Sequence, residues 1–288
     1  MTEIKFFKQY QQQIKRRLTG LKVIYTDLDG TLLNDKGCLL KDGNGCFYLG
    51  AVEGIHRLQQ RGIDLVLVSG RNKTQLRYNA QVMGLKNYIA ELGSELVYEL
   101  GKEVRVTFDD SHIDYDITYG GKDLEKIIRL LKKNFPRKIE GKMEWSRYRS
   151  YNALFFGEID LARANQLLQE NGYGNLALVE NGKSGLVDLD LEVKNLYIYN
   201  LMPRGVSKAK AIALDRKIRK IETGQCIALG DSTADIDMAS EVEYFFLMGD
   251  SLKKDGDFIH KLAKYDNILV TNGEMNRGWA EVISYLLD

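Results

Sequence analysis

The sequence predicts an α/β protein with a doubly wound, mainly parallel sheet, and three observations lead to that prediction. Short apolar segments of strand length alternate with amphipathic segments of helix length along most of the chain. The segment at 63–68 is apolar at nearly every position, which is typical of a parallel strand buried on both faces. Several such segments end in Asp, Ser or Gly, and open α/β sheets bind their ligands at that edge.

The composition agrees with a globular protein and excludes several classes of function. Of the 288 residues, 44% are hydrophobic and 28% are charged, and the formal net charge is +1. This near-neutral balance argues against a nucleic acid or an acidic membrane as partner, and no apolar run is long enough to span a bilayer. Three cysteines without a CxxC pair indicate a reducing, cytoplasmic location, and three histidines argue against a histidine metal site. We therefore expect a small-molecule substrate and a monomer or homodimer.

The first third of the chain supplies the beginning of the sheet. A basic amphipathic helix at the N-terminus is expected to pack on this part of the protein. Gly62 and Gly84 each follow a helical segment and are suited to end it. The predicted elements are a helix at 3–18, a strand at 21–27, a long loop at 34–49, helices at 51–61 and 72–83, strands at 63–68 and 88–92, and a hairpin of 96–100 with 103–108.

An acidic, irregular segment at 109–120 divides the chain, and a second α/β pattern follows it. We predict a core made of residues 1–107 and 201–288, and an inserted smaller α/β domain of residues 108–200. In the insertion, the pattern predicts helices at 122–134 and 160–171 and strands at 150–156, 175–180, 186–190 and 195–200. The first pattern then returns, with helices at 207–219, 233–240 and the C-terminus, and strands at 225–229, 244–248 and 268–270.

Two carboxylates follow the strand at 21–27. Asp27 and Asp29 are two residues apart, so on an extended strand both side chains face the same side. Carboxylates this close repel one another unless a cation lies between them or one of them keeps a proton. Gly30 and Thr31 complete the motif. An ordinary surface turn is the alternative, because Asp and Gly are common turn formers.

A second and a third motif have groups that can bind an anion. Ser69-Gly70-Arg71 ends a strand, where the Ser69 hydroxyl can donate to a phosphate oxygen and Gly70 lets backbone amides approach it. Lys208 begins a helix, which is an unfavourable place for a cation unless anionic groups lie nearby. The alternatives are a serine N-cap with a glycine turn, and a solvated surface lysine.

A fourth motif follows the strand at 225–229. Asp231 lies just past that strand and Asp235 one helical turn later, so both side chains can point to one side. Oxygen ligands from a few residues, completed by water, are the usual way in which proteins hold Mg²⁺. The alternative is a capping turn, in which Ser232 or Thr233 caps the next helix.

Taken in chain order, strand-DxDGT, strand-SGR, a lysine that begins a helix and strand-GDxxxD resemble the phosphatase branch of the haloacid dehalogenase (HAD) superfamily. The insertion between Arg71 and Lys208 resembles the α/β (C2-type) cap of the Cof-type and sucrose-phosphatase-like subgroup. The resemblance implies a Rossmann-like core under a cap domain. It also implies a Mg²⁺-dependent phosphomonoester hydrolase that acts on a small phosphorylated metabolite, such as a sugar or polyol phosphate.

The resemblance implies a role for each motif residue. Asp27 would attack phosphorus and become an aspartyl-phosphate. Asp29 would protonate the leaving alcohol and later deprotonate the hydrolytic water. Ser69, Gly70 and Lys208 would bind the phosphoryl group, and Lys208 would also take part in catalysis.

The metal site follows from the same resemblance. Mg²⁺ would be held by the carboxylates of Asp27 and Asp231 and by the backbone carbonyl of Asp29. Three further residues would support this arrangement, namely Thr31, Arg71 and Asp235. Asp235 would orient the lysine or a water molecule.

One position departs from the family pattern, and two alternative functions stay open. The residue before the second aspartate of the fourth motif is often Asn in the family, and here it is Ala234. A HAD-type phosphomutase would use the same two aspartates of the first motif, and a non-catalytic ligand-binding protein could keep the fold. Asp29 argues against the dehalogenases of the superfamily, which lack this aspartate and use no metal.

Two segments of the insertion have open interpretations. Residues 144–149 mix aromatic and cationic groups, as a site for a phosphorylated sugar would, but a solvated strand edge is the favoured interpretation. The irregular spacing of an acidic cluster matches no calcium loop, so we expect a solvated linker at Asp109, Asp110, Asp114 and Asp116.

Overall fold

The computed structural model describes residues 4–18, 20–109, 116–183, 189–254 and 258–288. Its strands are β1 (Val23–Thr26), β2 (Asp64–Val68), β3 (Tyr88–Ala90), β4 (Glu95–Tyr98), β5 (Glu103–Val106), β6 (Ile139–Gly141), β7 (Ala153–Gly157), β8 (Leu176–Lys183), β9 (Tyr197–Pro203), β10 (Cys226–Gly230), β11 (Tyr244–Leu247) and β12 (Ile268–Val270). Its α-helices are α1 (Phe7–Arg17), α2 (Gly50–Gln60), α3 (Lys73–Val82), α4 (Lys122–Asn134), α5 (Leu161–Glu170), α6 (Lys208–Arg219), α7 (Ser251–Lys254), α8 (Phe258–Leu262) and α9 (Met275–Leu287).

The larger of two sheets has the strand order β12-β11-β10-β1-β2-β3-β4-β5, with β1 near its centre. Neighbouring strands from β12 to β3 are parallel, and β4 and β5 add an antiparallel edge. The carboxyl ends of β1, β2 and β10 therefore lie side by side. The residues that follow these ends include Asp27, Ser69 and Asp231.

Helices cover both faces of the larger sheet, as a doubly wound fold requires. Ile24 of β1 lies in a core with residues of α1, α2, α3 and α9, among them Phe7 and Trp279. Tyr25 lies in a second core, together with Ala211 of α6. Because neighbouring residues of one strand enter opposite cores, both faces of β1 are buried, which explains its apolar run. The N-terminal helix α1 packs on this sheet as predicted.

The smaller sheet has the order β6-β7-β9-β8 and is antiparallel. One face packs on α4 and α5 through a core that includes Ile127 and Leu168. On the other face, Val179 and Met202 pack against Leu92 of the larger domain. The inserted α/β unit thus lies against the turn that follows β3.

The fold class is confirmed, and most elements lie within a few residues of their predicted bounds. The helix predicted at 122–134 is α4, and the predicted hairpin is formed by β4 and β5. Residues 186–188 of the strand predicted at 186–190, and residues 110–115 of the acidic segment at 109–120, lie outside the described residues. Over the described ranges, no helix combines the length and the apolar character that crossing a bilayer requires.

Several predictions need correction. Residues 233–240 form no α-helix; a 3₁₀ helix spans Ile236–Glu241, after a turn whose geometry is set by side-chain contacts of Asp235. The strand predicted at 88–92 ends at Ala90, because the next two residues have positive φ. Strand β6 was not predicted. The predicted domain limit at 200 falls inside β9, and we propose to place it after Pro203.

Candidate active site

Asp27 lies directly after β1 at the carboxyl edge of the larger sheet. Its backbone N–H donates to the carbonyl of Leu229 at 2.9 Å, which extends the pairing of β1 with β10 by one residue. The hydroxyl of Thr26 accepts a hydrogen bond from the indole N–H of Trp279 (3.1 Å) and donates to the carbonyl of Asp27 (2.8 Å). The sheet and α9 thus hold the backbone of Asp27 on two sides, and only 6% of Asp27 is exposed.

Lys208 is the first residue of α6, and its ammonium group lies between two carboxylates. Nζ is 2.5 Å from Oδ1 of Asp27 and 2.6 Å from Oδ1 of Asp235. Burial alone would lower the pKa of Lys208, but the charges of Asp235 and Asp27 raise it above its ordinary value, so the group stays cationic. The two carboxylates also offset the unfavourable interaction of a cation with the dipole at the start of a helix. The alternative of a solvated surface lysine is excluded, because Lys208 is buried.

Asp235 holds Lys208 and at the same time orders the turn after β10. Its Oδ2 accepts hydrogen bonds from the N–H (2.9 Å) and the hydroxyl (2.6 Å) of Ser232, and from the N–H of Asp231 (3.2 Å). Ser232 therefore bonds to Asp235 and does not cap a following α-helix, which corrects the capping alternative. Each oxygen of Asp235 has a defined partner, so this side chain is suited to positioning Lys208.

Three carboxylates and one lysine meet at this edge. Oxygen atoms of Asp27, Asp231 and Asp235 lie within 4.8 Å of one another. Burial, opposed by Lys208 and reinforced by Asp235 and Asp231, raises the pKa of Asp27 well above its ordinary value. Three carboxyl groups this close together offer several oxygen atoms to one ion, so a divalent cation that prefers oxygen ligands fits the group. The hydroxyl of Thr31 donates to Oδ1 of Asp231 at 3.3 Å, and the supporting role of Thr31 stays a prediction.

The carboxylate of Asp29 lies outside this group and pairs with Arg71. Nε and Nη2 of Arg71 donate to Oδ2 (2.8 Å) and Oδ1 (2.5 Å) of Asp29, and Nη1 donates to Asn79 (3.1 Å). The expectation that Asp27 and Asp29 project side by side from a strand needs correction, because β1 ends at Thr26 and a turn follows. The predicted metal contact of Asp29 concerns its backbone carbonyl and stays a prediction.

Ser69 and Gly70 form the loop that follows β2. The Ser69 hydroxyl oxygen accepts from the N–H of Arg71 at 3.2 Å, which leaves the hydroxyl proton able to donate to an anion. The Ser69 carbonyl accepts from the N–H of Leu92 at 3.1 Å, so the loop is joined to the turn after β3. The N-cap of α3 is Asn72 and not Ser69, which removes the alternative interpretation of this motif.

Side chains of the smaller domain lie directly against this loop, and the sequence analysis did not identify them as site residues. A Cβ added at Gly70 would be 2.6 Å from Nδ2 of Asn181. Arg149 donates through Nη1 to the carbonyl of Gly70 (3.0 Å) and to Oδ1 of Asn152 (2.7 Å). The cap therefore covers the loop predicted to bind phosphate.

The segment at 144–149 shows why these contacts were missed. The mixture of aromatic and cationic residues was a signal, but the favoured interpretation, a solvated strand edge, is wrong. A 3₁₀ turn spans Met143–Ser146, and the chain then turns so that Arg149 reaches the core domain. Whether this segment binds a sugar stays a prediction.

Glu91 joins the two domains on the other side of the loop. Its carboxylate is fully buried and accepts hydrogen bonds from the backbone N–H groups of Ser150 (2.8 Å) and Tyr151 (2.9 Å). Burial raises the pKa of Glu91, against the effect of these two hydrogen bonds. Glu91 and Leu92 have positive φ angles of 51° and 57°, a strained conformation that clusters at functional sites. No sequence pattern indicated this contact.

Comparisons with known proteins agree with the geometry of the site. A family model described as haloacid dehalogenase-like hydrolase matches residues 24–139 and 177–267. A glucosyl-3-phosphoglycerate/mannosyl-3-phosphoglycerate phosphatase from Persephonella marina is 26% identical over 281 residues, which cover 92% of this chain and 97% of that protein. A phosphoglycolate phosphatase from Archaeoglobus fulgidus is 26% identical over 218 residues, which cover 75% of this chain and 78% of that protein.

The fold is shared with solved structures. The sucrose-phosphatase from Synechocystis, in complex with sucrose and phosphate, has a TM-score of 0.64 and 14% identity, over 93% of this chain and 98% of that chain. The segments matched by the family model contain all four motifs, which begin at Asp27, Ser69, Lys208 and Asp231. The resemblance drawn from these motifs is confirmed, and the chain belongs to the haloacid dehalogenase-like hydrolase family.

Proposed function

We propose that the protein is a Mg²⁺-dependent phosphomonoester hydrolase that acts through an aspartyl-phosphate on a small phosphorylated metabolite, with sugar or polyol phosphates as the substrate class. The observation that carries this proposal is the contact of Lys208 with both Asp27 and Asp235, beside Asp231, at the carboxyl edge of the sheet. The two relatives described above are named as phosphatases, which supports it.

The first chemical step forms a bond between an oxygen of Asp27 and phosphorus, and breaks the bond from phosphorus to the ester oxygen. The leaving oxygen takes a proton from the carboxyl group of Asp29 and departs as an alcohol. Water then attacks phosphorus, Asp29 takes the proton of that water, and the bond to Asp27 breaks to release inorganic phosphate. Asp29 thus ends the cycle protonated, as it began.

Charge neutralisation is the main requirement of this chemistry, because a carboxylate and a phosphate dianion repel one another. Lys208 supplies one fixed positive charge, and Ser69 can donate a hydrogen bond to a phosphoryl oxygen. When bound, Mg²⁺ adds two positive charges at the same place. The carboxylates of Asp27 and Asp231 and the backbone carbonyl of Asp29 are the groups that we propose as its ligands.

Asp29 needs a change of position to act as the acid. In this structure Arg71 binds both oxygens of its carboxyl group, so the group has to leave Arg71 before it donates a proton. Arg71 is accordingly a positioning residue that holds Asp29 beside the site between reactions. About half of the Asp29 side chain is exposed, which gives it room to turn.

The place of action that we propose is the cytoplasm. The three cysteines, at positions 38, 46 and 226, are all free thiols, as expected in a reducing compartment. A small phosphorylated metabolite is the partner that agrees with a near-neutral chain and with the names of the relatives.

The test is release of inorganic phosphate from p-nitrophenyl phosphate and from a panel of sugar and polyol phosphates, with Mg²⁺ or with EDTA. We expect turnover that requires Mg²⁺ and falls at least about 10³-fold in Asp27→Asn, because an amide cannot form the covalent intermediate. Asp237→Asn is the matched control, since Asp237 lies nearby in the chain but pairs with Lys264 at the surface. Its activity should equal that of the wild type.

Two results would replace the proposal with an alternative. An isomerised sugar phosphate formed without inorganic phosphate would indicate a phosphomutase. Binding of phosphate esters without any turnover would indicate a ligand-binding protein. Turnover that persists in Asp27→Asn would contradict the mechanism while leaving the activity in place.

A further inference from the structure

The two faces of the cap sheet differ in what they contact. Leu201 of β9 lies in the core with α4 and α5. Met202, the next residue, points to the opposite face and packs against Leu92 of the larger domain. Side chains alternate along a strand, so Asn200 lies on the same face as Met202, the one that meets the core domain.

The Asn200 side chain is fully buried on this inner face. Neither Oδ1 nor Nδ2 makes a hydrogen bond within the described part of the chain, and the side chain has 0% exposure. Nδ2 of Asn152, a residue that is 2% exposed, likewise has no partner there. Asn152 immediately precedes β7, whose Leu154 pairs with Asn200, so the two carboxamides are diagonal neighbours on one face. Buried amides without partners are uncommon in folded proteins.

The inner face is close to the loop predicted to bind phosphate. Val179 of β8 lies directly opposite Asn200, and Asn181 follows it by two residues. The Asn181 amide contacts the position of Gly70, next to Ser69. Asn181 lies where the pairing of β8 with β9 becomes irregular, and its amide brings this part of the cap sheet against the loop. A group esterified to a phosphate at Ser69 would therefore lie close to the inner face.

A purely structural asparagine in the same domain looks different. Asn165 of α5 donates to the carbonyls of Leu161 (3.1 Å) and Leu178 (3.0 Å), and its Oδ1 accepts from the N–H of Leu178 (2.8 Å). An amide that serves the fold is thus fully paired here. Among the described residues, both polar atoms of the Asn200 side chain and Nδ2 of Asn152 lack a partner, and both residues are on the face that a substrate would meet.

We infer that Asn200, assisted by Asn152, determines specificity by hydrogen bonding the leaving group, and that this leaving group is uncharged and carries several hydroxyl groups. The inference rests on the proposed hydrolase function and deepens it. Whichever way the Asn200 amide is turned, it offers two donor hydrogens and one acceptor oxygen. A hydroxyl group both donates and accepts, so a pair of hydroxyls can satisfy both atoms.

A carboxylate in the leaving group fits this face less well. It accepts hydrogen bonds but donates none, so Oδ1 of Asn200 would stay buried without a donor. Arg149 is held at the loop, where its Nη1 donates to Gly70 and to Asn152, and it does not supply the donor that Oδ1 of Asn200 lacks among the described residues. The face therefore favours a polyol or sugar over a small phosphorylated acid. Because Asn200 is covered, the two domains have to separate for the substrate to enter.

The experiment compares Asn200→Leu with the matched control Asn165→Leu. Leucine is similar in size to asparagine and has no polar atom. We measure the free energy of unfolding in urea, and kcat/KM for sorbitol 6-phosphate, mannose 6-phosphate, 2-phosphoglycolate and p-nitrophenyl phosphate. Asn200→Ser, a smaller side chain that cannot reach the same atoms, serves as the second variant if Asn200→Leu does not fold.

The wild type should prefer the polyol or sugar phosphate to 2-phosphoglycolate. Asn200→Leu should lower kcat/KM for the preferred substrate by about 10- to 100-fold. Its kcat/KM for p-nitrophenyl phosphate should stay within about twofold, and its unfolding free energy should be unchanged or higher, because an unpaired buried amide is removed. Asn165→Leu should do the reverse, with lower stability and an unchanged substrate preference.

Two outcomes would overturn the assignment. One is an Asn200→Leu protein in which the ratio of kcat/KM for the preferred polyol or sugar phosphate to kcat/KM for p-nitrophenyl phosphate is unchanged. The other is a wild type that prefers 2-phosphoglycolate to sorbitol 6-phosphate and to mannose 6-phosphate. A wild type that releases no inorganic phosphate from any of the four esters would overturn the hydrolase proposal first, and this inference with it.

Discussion

The carboxylate site of the core and the inner face of the cap both contain buried polar side chains. Those of the core form ion pairs, whereas those of the cap are neutral amides. In the core, Lys208 forms ion pairs with Asp27 and Asp235, and Asp235 also accepts from Ser232. On the cap, Asn200 is neutral and has no partner among the described residues. Buried charges are tolerated only when they are paired, whereas an unpaired neutral amide has a smaller cost. The side chains proposed for catalysis are thus already paired in the core, whereas the Asn200 amide would form its hydrogen bonds only when a ligand is bound.

The largest effect is expected from Lys208→Met, which removes the only cation of the core network that the described contacts show. Asp27 and Asp235 would remain buried without it, so we expect a loss of about 3–5 kcal/mol in the free energy of unfolding. Activity should fall at least about 10³-fold. Urea denaturation and steady-state kinetics measure the two effects.

Lys210→Met is the control for this variant, since Lys210 is on the same helix and exposed. Its stability should stay within about 0.5 kcal/mol of the wild type. A Lys208→Met protein with activity within tenfold of the wild type would show that the buried network is not needed for the reaction.

A smaller effect is expected from Gly30→Ala, paired with Gly45→Ala. Both glycines have positive φ, +84° and +80°, but a Cβ at Gly30 would be 2.5 Å from Oδ2 of Asp231, whereas nothing lies within 4 Å at Gly45. Gly45→Ala should cost only the strain of the left-handed backbone, roughly 1–2 kcal/mol. Gly30→Ala should cost more and lower activity by about 10²-fold, because Asp231 has to move. Equal activities of the two variants would contradict a role for Asp231.

Arg71→Lys tests the positioning of Asp29. A lysine cannot bind both carboxylate oxygens, so we expect kcat/KM for an alkyl phosphate to fall about tenfold, with a smaller loss for p-nitrophenyl phosphate, whose leaving group needs little help from an acid. The control is Arg57→Lys, at a surface pair with Asp288 (2.6 Å). Stability should change little in both variants, since exposed ion pairs contribute about 0–1 kcal/mol. Equal losses on both substrates would exclude Asp29 as the acid.

The smallest effect concerns pH and Mg²⁺. The pKa of Asp27 is raised in the folded protein, mainly by burial, so its proton stabilises the fold below about pH 4, and this contribution is lost as pH rises through the raised value. Mg²⁺ binds the carboxylate form, so the gain in melting temperature on adding Mg²⁺ should be larger at about pH 8 than at about pH 5. Thermal unfolding measures this difference. The same gain at both pH values would place the metal away from Asp27.

Much of the core could be predicted because its cues are local in the chain. Asp27 and Asp231 each follow an apolar strand directly, and Lys208 begins a helix, so the parallel order of the strands is enough to bring them to one edge. The contact of Asp29 with Arg71 could not be predicted in this way. It depends on the end of β1 at Thr26, one residue earlier than expected.

The cap contacts had no comparable cue. In the sequence, Glu91 follows a strand, a position where many carboxylates are solvated. Only the hydrogen bond from the N–H of Ser150 shows that Glu91 joins the two domains. Residues 110–115 of the acidic segment at 109–120 lie outside the described residues, so the domain boundary predicted there stays a prediction.

The sequence by itself determined the α/β class and the order of the four motifs, since these depend on periodicity and on residue chemistry at strand ends. The groups that we propose act on a phosphate ester were predicted from the family resemblance of those motifs. Only the tertiary structure decided which face of the cap meets those groups, and that the Asn200 side chain lies on it without a partner among the described residues. The physical reason is that contacts between two domains depend on how the domains pack together. Such packing produces no local pattern of residues in the sequence.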